Sequence, residues 1–471
     1  MNSSHKNRLV VLGAGPGGYT TAFLAADRGM QVTLIDDNSK PGGVCLHKGC
    51  IPSKSLLHIA KLIEETRTAE AFGLKFKPPK IDLNQMRESN RSMINKMSNG
   101  LLSLCKQRGV KFVQGRAKFI NSTSLVINDQ DQMGFDHCVL ATGSKPVCPP
   151  LFAKLGDRLL NSTTALALQD VPERLLIVGG GYIGLEMATV FSSLGSRVTI
   201  VEMTQDLLPG LDRDLVRPLH ARLKPRFEAI NLSTQVLTCE LKNNQVEVVF
   251  DSGGTQKLEN YDKVLVAVGR KPNSMDMGLD STGVKTDDKG FIKVDDRFET
   301  NEPNIFAIGD VIGGAMLAHK ASAEGRTVAA NLSGESSVAE LGCIPAVVFT
   351  DPELAWCGLT ETEAKSQNIT IEIAKFPWGA SGRAQTLGRP DGMTKLIINP
   401  ETEEILGMGI AGVGAGELIG EGVLAVDNKL KVVDLAESIH PHPTLSETIM
   451  ESAESFYGEA THIYKRPRKT S

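Results

Sequence analysis

The chain has 471 residues, more than one hydrophobic core holds, so roughly two to four domains are expected. Its 41% hydrophobic and 23% charged residues are ordinary for a globular protein, and a net charge of −4 argues against a general polyanion-binding surface. No nucleic-acid motif is present, no apolar run reaches the roughly 18 residues a membrane span needs, and eight scattered cysteines make no disulfide framework, so a cytoplasmic protein without membrane insertion is expected.

The first elements are read from "RLVVLGAGPGGYTTAFLAADRGMQVTLID": strand, glycine turn, helix, strand. Gly13, Gly15 and Gly18 form a G-x-G-x-x-G turn, the helix carries Phe23 and Leu24, Gly29 ends it, and a second strand runs from Gln31 into Asp36. Each part has a task in binding a dinucleotide. The turn lets backbone N–H groups approach a pyrophosphate, and the acid ending the second strand accepts hydrogen bonds from a ribose. Asp36 stands 23 residues after Gly13, which strengthens a fingerprint that is weak when it occurs alone.

Next comes "GGVCLHKGCIPSKSLLHIAKLIEE", which places Cys45 and Cys50 five apart at the start of an amphipathic helix. Buried thiols, metal ligands, a structural staple and a redox pair are all compatible with that spacing. Zinc has His47 nearby but lacks a second ligand pair, and a staple is out of keeping with a reducing compartment. The position beside a dinucleotide turn favours redox use. A helix N-terminus, Lys48 and Lys54 would all favour the thiolate that exchange requires.

The dinucleotide unit then recurs. In "RLLIVGGGYIGLEMATVFSSLGSRVTIVEM", Gly179, Gly181 and Gly184 repeat the turn, and Glu202 again stands 23 residues after the first glycine. Two such units suggest electron transfer between two bound dinucleotides. Glu202 would repel a 2′-phosphate, and no Arg or Lys follows between Met203 and Asp212, so this site is expected to prefer NAD over NADP. The strings "CVLATGSKP" and "VLVAVGRKPN" are strands ending in glycine turns that could cross between domains, and "IFAIGD" sets Asp310 just beyond a strand end. From about Ile344 the pattern changes to a mixed α+β region, closed by a basic run "YKRPRKT" that reads as a solvated tail.

Together, "GGVCLHKGCIPSK", the two repeated units, "ATG", "GRKPN", "IGD", "MLAHKA", "FPWGASGRA", "DGMTKLI" and "HPHPTLSE" resemble the FAD-dependent pyridine nucleotide–disulfide oxidoreductases over essentially the whole chain. The resemblance implies an α/β protein with two Rossmann-like dinucleotide-binding domains and a C-terminal α+β dimerisation domain. It implies a division into 1–146 (FAD, with the redox disulfide), 147–274 (NAD), 275–343 (completing the FAD region) and 344–471 (dimerisation). The branch most like this chain oxidises protein-bound dihydrolipoamide and reduces NAD+, serving the lipoyl domains of 2-oxo acid dehydrogenase complexes as a homodimer.

By the same resemblance, Gly13, Gly15, Gly18, Asp36, Gly43, Ala117, Thr142, Gly143, Asp310 and Ala318 would hold FAD. Lys54 would lie against the flavin ring, paired with Glu186. Gly181, Gly184, Glu202, Val236 and Gly269 would line the NAD site. Cys45 would be the interchange thiol and Cys50 the charge-transfer donor. His442, oriented by Glu447, would be the base, reaching the cysteines of the other subunit. No metal is implied.

Four positions depart from the usual pattern. Asp36 replaces the commoner glutamate and shortens its reach; His47, Lys48 and Pro441 are also unusual. Lys48 is expected to lower a nearby thiol pKa. Related activities fit less well. A mercuric reductase would carry a cysteine pair after Cys357, and Glu202 opposes an NADP-linked glutathione reductase. "SLLHIA" lacks the cations a peptide carboxylate would want, and a soluble transhydrogenase lacks the complete cysteine pair in its usual form. A non-catalytic scaffold is opposed by the intact set Cys45, Cys50, Lys54, Glu186, His442 and Glu447.

Overall fold

A computed structural model describes residues 7–335 and 341–464. The basic run at the end of the chain lies outside the described residues from position 465 onward.

Near the N-terminus, β1 (Arg8–Leu12), α1 (Pro16–Asp27) and β2 (Gln31–Asp36) form the expected unit, with β1 and β2 parallel. Its sheet has five parallel strands in the order Ile305–Ala307, His137–Leu140, β1, β2, Lys111–Gln114. The strand ending in "IGD" therefore returns to the first sheet after the second unit has been built. Helices cover one face and the strands Ala117–Asn121 and Ser124–Ile127 cover the other, so these strands read as continuous apolar runs rather than alternating ones. Val11, Leu34 and Val139 have no exposed surface at all.

The second unit repeats the arrangement. Its sheet runs Ala229–Asn231, Arg197–Val201, Arg174–Val178, Lys263–Val266, Leu159–Leu160, all parallel. The two connecting segments read from the sequence pair with one another: Ser144–Pro146 lies antiparallel to Arg270–Pro272. Both chain crossings between the units are thus one two-stranded ribbon. Each unit also carries a three-stranded antiparallel sheet.

The C-terminal region is a five-stranded antiparallel sheet, with Glu353–Gly358, Ile405–Gly412 and Met393–Ile398 at its centre. The helices Ala415–Asp427 and Glu447–Tyr457 contribute Ile419, Ala425, Ile449 and Phe456 to its core. This region is fastened to the second unit by an ion cluster. Lys395, whose side chain is fully buried, donates to Asp212 (2.7 Å), Asp214 (2.8 Å) and Glu361 (2.8 Å). One cation against three carboxylates in a dry setting is stable only with such complete hydrogen bonding. The carboxylates that could otherwise gather a metal ion are instead filled by an ammonium group.

Candidate active site

A cleft of about 540 Å³ runs from the first glycine turn to the face of the second unit. Gly13, Gly15, Asp36, Gly43, Ala117, Thr142, Gly143, Asp310 and Ala318 all line it, together with Cys45, Cys50, Lys54 and Glu186. Gly18 lies behind the wall, where a Cβ would stand 1.8 Å from the Gly13 carbonyl oxygen. Gly13 itself has φ +99°, and a Cβ there would meet the Ala141 carbonyl at 2.3 Å. The first and third glycines are thus demanded by the protein's own packing. Gly15 has only Gly43 near its Cβ position, at 3.9 Å, which leaves the backbone open to a ligand.

Asp36 does more than end a strand. Its Oδ2 accepts the Ala14 N–H at 2.6 Å, while Oδ1 accepts Asn38 N–H (2.9 Å) and Asn38 Nδ2 (2.7 Å). The carboxylate braces the glycine turn from behind, and its short reach suits that task. Further along, Thr142 and Asn273 exchange two hydrogen bonds, of 2.8 and 2.9 Å, across the paired crossings. Asp310 accepts from Ser144, and Arg270 donates to the Ser144 hydroxyl (2.7 Å) and carbonyl (2.8 Å). Arg270 belongs to the second unit's strand end, so the wall of the cleft is tied across the ribbon.

At the far end, α2 (Gly43–Lys48) carries Cys45, and α3 (Cys50–Thr68) opens with Cys50. Gly49 breaks the helix between them, and a Cβ there would press on the Val44 carbonyl at 2.9 Å. The break turns both sulfurs toward one another. Cys50 stands at a helix N-terminus, on the exposed floor of the cleft, where unpaired N–H groups favour an anion. The Cys45 hydrogen bond holds the Cys50 thiol down at about 7; Lys54 adds to this, while burial and Glu186 oppose it. The same bond, with burial, pushes the Cys45 thiol up.

Lys54, one turn along α3, donates to both oxygens of Glu186 at 3.0 and 2.9 Å. Glu186 sits on the helix Tyr182–Leu194 of the second unit, its side chain 5% exposed. Phe349 completes the arrangement. Its N–H donates to Glu186 at 3.1 Å, and Lys54 Nζ stands 4.4 Å from the centre of its ring. All three regions of the chain thus meet at one ion pair.

One expectation about the cysteine loop needs correction. Lys48 is exposed at the rim of the cleft, and the cation acting on the thiols is Lys54. His47 is engaged by the backbone. Its Nε2 lies 3.2 Å from the carbonyls of Lys40 and Pro41, so it secures the preceding turn and is turned away from any zinc site.

In the second unit the packing logic of the first recurs. Gly179 and Gly184 would collide with the Ala267 and Gly179 carbonyls at 2.5 and 2.1 Å, whereas a Cβ at Gly181 meets nothing within 4 Å. Glu202 braces the turn through Gly180 N–H (2.7 Å) and accepts from Thr204. Gly269, φ +128°, faces open space beside the ribbon. The Val236 side chain is buried in the core of the antiparallel sheet, so only its backbone could line a ligand site.

His442 and Glu447 pair as expected, Nδ1 to Oε1 at 2.8 Å, and Thr444 N–H holds the other carboxylate oxygen at 2.7 Å. That backbone bond and His442 outweigh burial and keep the Glu447 carboxyl below its ordinary range. The His442 side chain is 71% exposed and lines no part of the cleft of its own chain.

Residues 7–325 match the family model described as pyridine nucleotide-disulphide oxidoreductase, and residues 344–453 match the dimerisation domain of the same family. The chain belongs to the pyridine nucleotide–disulphide oxidoreductases. A dihydrolipoyl dehydrogenase of Haemophilus influenzae is 42% identical over 467 residues, covering 98% of both chains. One from Buchnera aphidicola is 44% identical with the same coverage, and one from Bacillus subtilis 40% identical over 97% of both. Among solved structures, LpdA of Mycobacterium tuberculosis has a TM-score of 0.88 at 27% identity, covering 96% of this chain and 99% of its own. The HOCl-induced flavoprotein disulfide reductase RclA of Escherichia coli has a TM-score of 0.84 at 29% identity, covering 94% and 98%.

FAD and NAD are the cofactors of this family, and the residues present fit both. The cleft offers a glycine-lined stretch for a pyrophosphate, an acid at one end, and thiols with a Lys–Glu pair at the other. Sequence reasoning missed Phe349, Ser144, Arg270 and Asn273. The last three lay in strings already singled out as crossings, whereas Phe349 carries no local signal.

Proposed function

We propose that this chain oxidises a dihydrolipoyl group and delivers the electron pair to NAD+, with Cys45 and Cys50 as the exchanging thiols. The observation that carries the reading is that both sulfurs and the Lys54–Glu186 pair line the same cleft as the first glycine turn. When bound, FAD supplies a two-electron relay between the dithiol and the nicotinamide. In the oxidised protein a substrate thiolate attacks Cys45 of the disulfide. A sulfur–sulfur bond forms to Cys45, and Cys50 departs as the thiolate its surroundings favour. The second substrate sulfur then attacks the first, closing the lipoyl ring and releasing Cys45. Lys54 remains fixed by Glu186 and Phe349 throughout, a fixed positive charge beside the departing thiolate.

The substrate protons need a base, and His442 of a second copy fills that role, with Glu447 orienting its ring and stabilising the protonated form. Exposure of His442 and a matched dimerisation domain support this reading. The working unit is then a homodimer with domains 1–146, 147–274, 275–343 and 344–471. Gly181, Gly184, Glu202, the Val236 backbone and Gly269 receive NAD. Its partners are the lipoyl domains of 2-oxo acid dehydrogenase complexes in the cytoplasm. Among the described residues, no helix is long and apolar enough to cross a membrane.

Subunit complementation tests the shared site. Cys45→Ser and His442→Ala homodimers are each expected to be inactive with dihydrolipoamide. Dissociated together and reassociated, they should recover activity toward about a quarter of the wild-type level, because each mixed dimer keeps one intact site. No recovery from dimers shown to be mixed would place the base in the same chain as the thiols and refute the arrangement.

A further inference from the structure

Away from the cleft a second pair of thiols comes together. Cys357 lies on the strand Glu353–Gly358, 1% exposed, within the C-terminal core. Cys343 is half-buried where the chain enters this region and packs against the same core. Antiparallel pairing of Ala346 with Trp356 and Val348 with Leu354 folds the chain back, so both cysteines enter one core, and each thiol biases the ionisation of the other.

One helix, Ala415–Asp427, fixes both positions. A Cβ on Gly422 would stand 3.0 Å from the Cys357 sulfur, so the helix approaches that thiol as closely as a glycine permits. Further along the same helix, Asp427 accepts the Cys343 backbone N–H and packs against Gly342. The backbone of Cys343 is therefore pinned by the same helix that packs on the Cys357 sulfur. The remaining cysteines are placed differently: Cys105, Cys138 and Cys239 are buried, and Cys148 is exposed with its sulfur toward the Pro149 carbonyl at 3.8 Å.

We propose that Cys343 and Cys357 are a second oxidisable pair, which closes into a disulfide when a hydroperoxide reaches Cys343. Cys343 is the attacking sulfur. The hydrogen bond from Cys357 holds its thiol below the ordinary value, whereas that bond and burial push Cys357 up and keep it protonated. The Cys343 thiolate takes one peroxide oxygen, forming an S–O bond as the O–O bond breaks, to give a sulfenic acid and hydroxide. Cys357 sulfur then attacks Cys343 sulfur. The S–S bond forms, the S–O bond breaks, and the Cys357 proton leaves with the departing hydroxide as water. In sum, two thiols lose two electrons and two protons, and one hydroperoxide is reduced to water and its alcohol, or to two waters. The new bond would tie the entry point of the C-terminal region to its central strand, and a dithiol would reverse it.

The test uses the full-length holoenzyme, reduced with dithiothreitol, desalted, exposed to hydrogen peroxide, then unfolded and alkylated. Trypsin leaves both cysteines on the single peptide 327–365, so a second cleavage after Glu353 is needed to separate them. The expected result is a disulfide-linked peptide pair, loss of alkylation at both positions, and recovery with dithiothreitol. In Cys357→Val, which keeps an apolar group in the core, Cys343 should shift from disulfide to sulfinic acid. Wild-type Cys343 recovered alkylated, or over-oxidised while Cys357 remains a free thiol, would overturn the proposal. So would an identical Cys343 product in wild type and Cys357→Val.

Discussion

Cys50 is the group whose chemistry the structure sets most sharply. Its thiol is held at about 7, and the largest cause is the hydrogen bond from Cys45, ahead of Lys54. Against the ordinary thiol value of 9.0, this favours the thiolate by about 2.7 kcal/mol. At pH 7 it raises the thiolate fraction from about one in a hundred to about one half. Cys45→Ala removes the donor while burial and Glu186 continue to oppose the charge. The Cys50 midpoint should then rise by about 1 to 2 units, and its alkylation at pH 7 should slow roughly tenfold. Cys45→Ser keeps a hydroxyl donor and should stay closer to the reduced wild type. The assay is the pH dependence of iodoacetamide modification, followed at Cys50 by mass spectrometry under reducing conditions. A midpoint still near 7 in Cys45→Ala would refute the assignment and leave Lys54 and the helix N-terminus as the cause.

Lys395→Met should lower stability by about 3 kcal/mol, mainly because the buried Asp212 loses its cation while Asp214 and Glu361 keep Lys375, and denaturant unfolding would measure it. Burial opposes the charges of Asp212 and Asp214, yet the Lys395 hydrogen bond to Asp212 and those of Lys375 and Lys395 to Asp214 hold both carboxyls below their ordinary value. Their contribution is therefore present above the unfolded value of 3.8 and lost as pH falls through the folded ones, so wild type should lose stability only below about pH 4. Glu447→Gln should cut turnover on the order of 100-fold with an unchanged Tm, because the histidine loses the carboxylate that orients it; turnover within a factor of about two of wild type would contradict this. Glu202→Gln should lower kcat/KM for NAD+ about tenfold and narrow its margin over NADP+, read from initial rates with each nucleotide.

Much of the site was legible because the chemistry is written in fixed spacings. The distance from Gly13 to Asp36, repeated from Gly179 to Glu202, encodes a strand–turn–helix–strand unit whose first glycine is forced by a carbonyl just past the neighbouring strand and whose third is forced by the carbonyl of the first. The ribbon of Ser144–Pro146 with Arg270–Pro272 was half legible: the sequence showed two crossings, but nothing in either string says that they pair. Lys48 illustrates the opposite failure. Sequence proximity to a thiol suggested a cation beside it, but Lys48 stays exposed at the cleft while Lys54, one turn along the next helix, acts on both thiols. Phe349 was invisible for a different reason, since its N–H and ring act on residues distant in sequence through the meeting of three regions.

The most direct test is anaerobic mixing of the purified yellow protein with dihydrolipoamide and either NAD+ or NADP+, following reduced nicotinamide. Rapid NADH formation with little NADPH, abolished in Cys45→Ser and Cys50→Ser proteins that still retain FAD, is the predicted result. NADH formation that persists in either variant would contradict the account, because electrons would then reach the nicotinamide without the thiol pair.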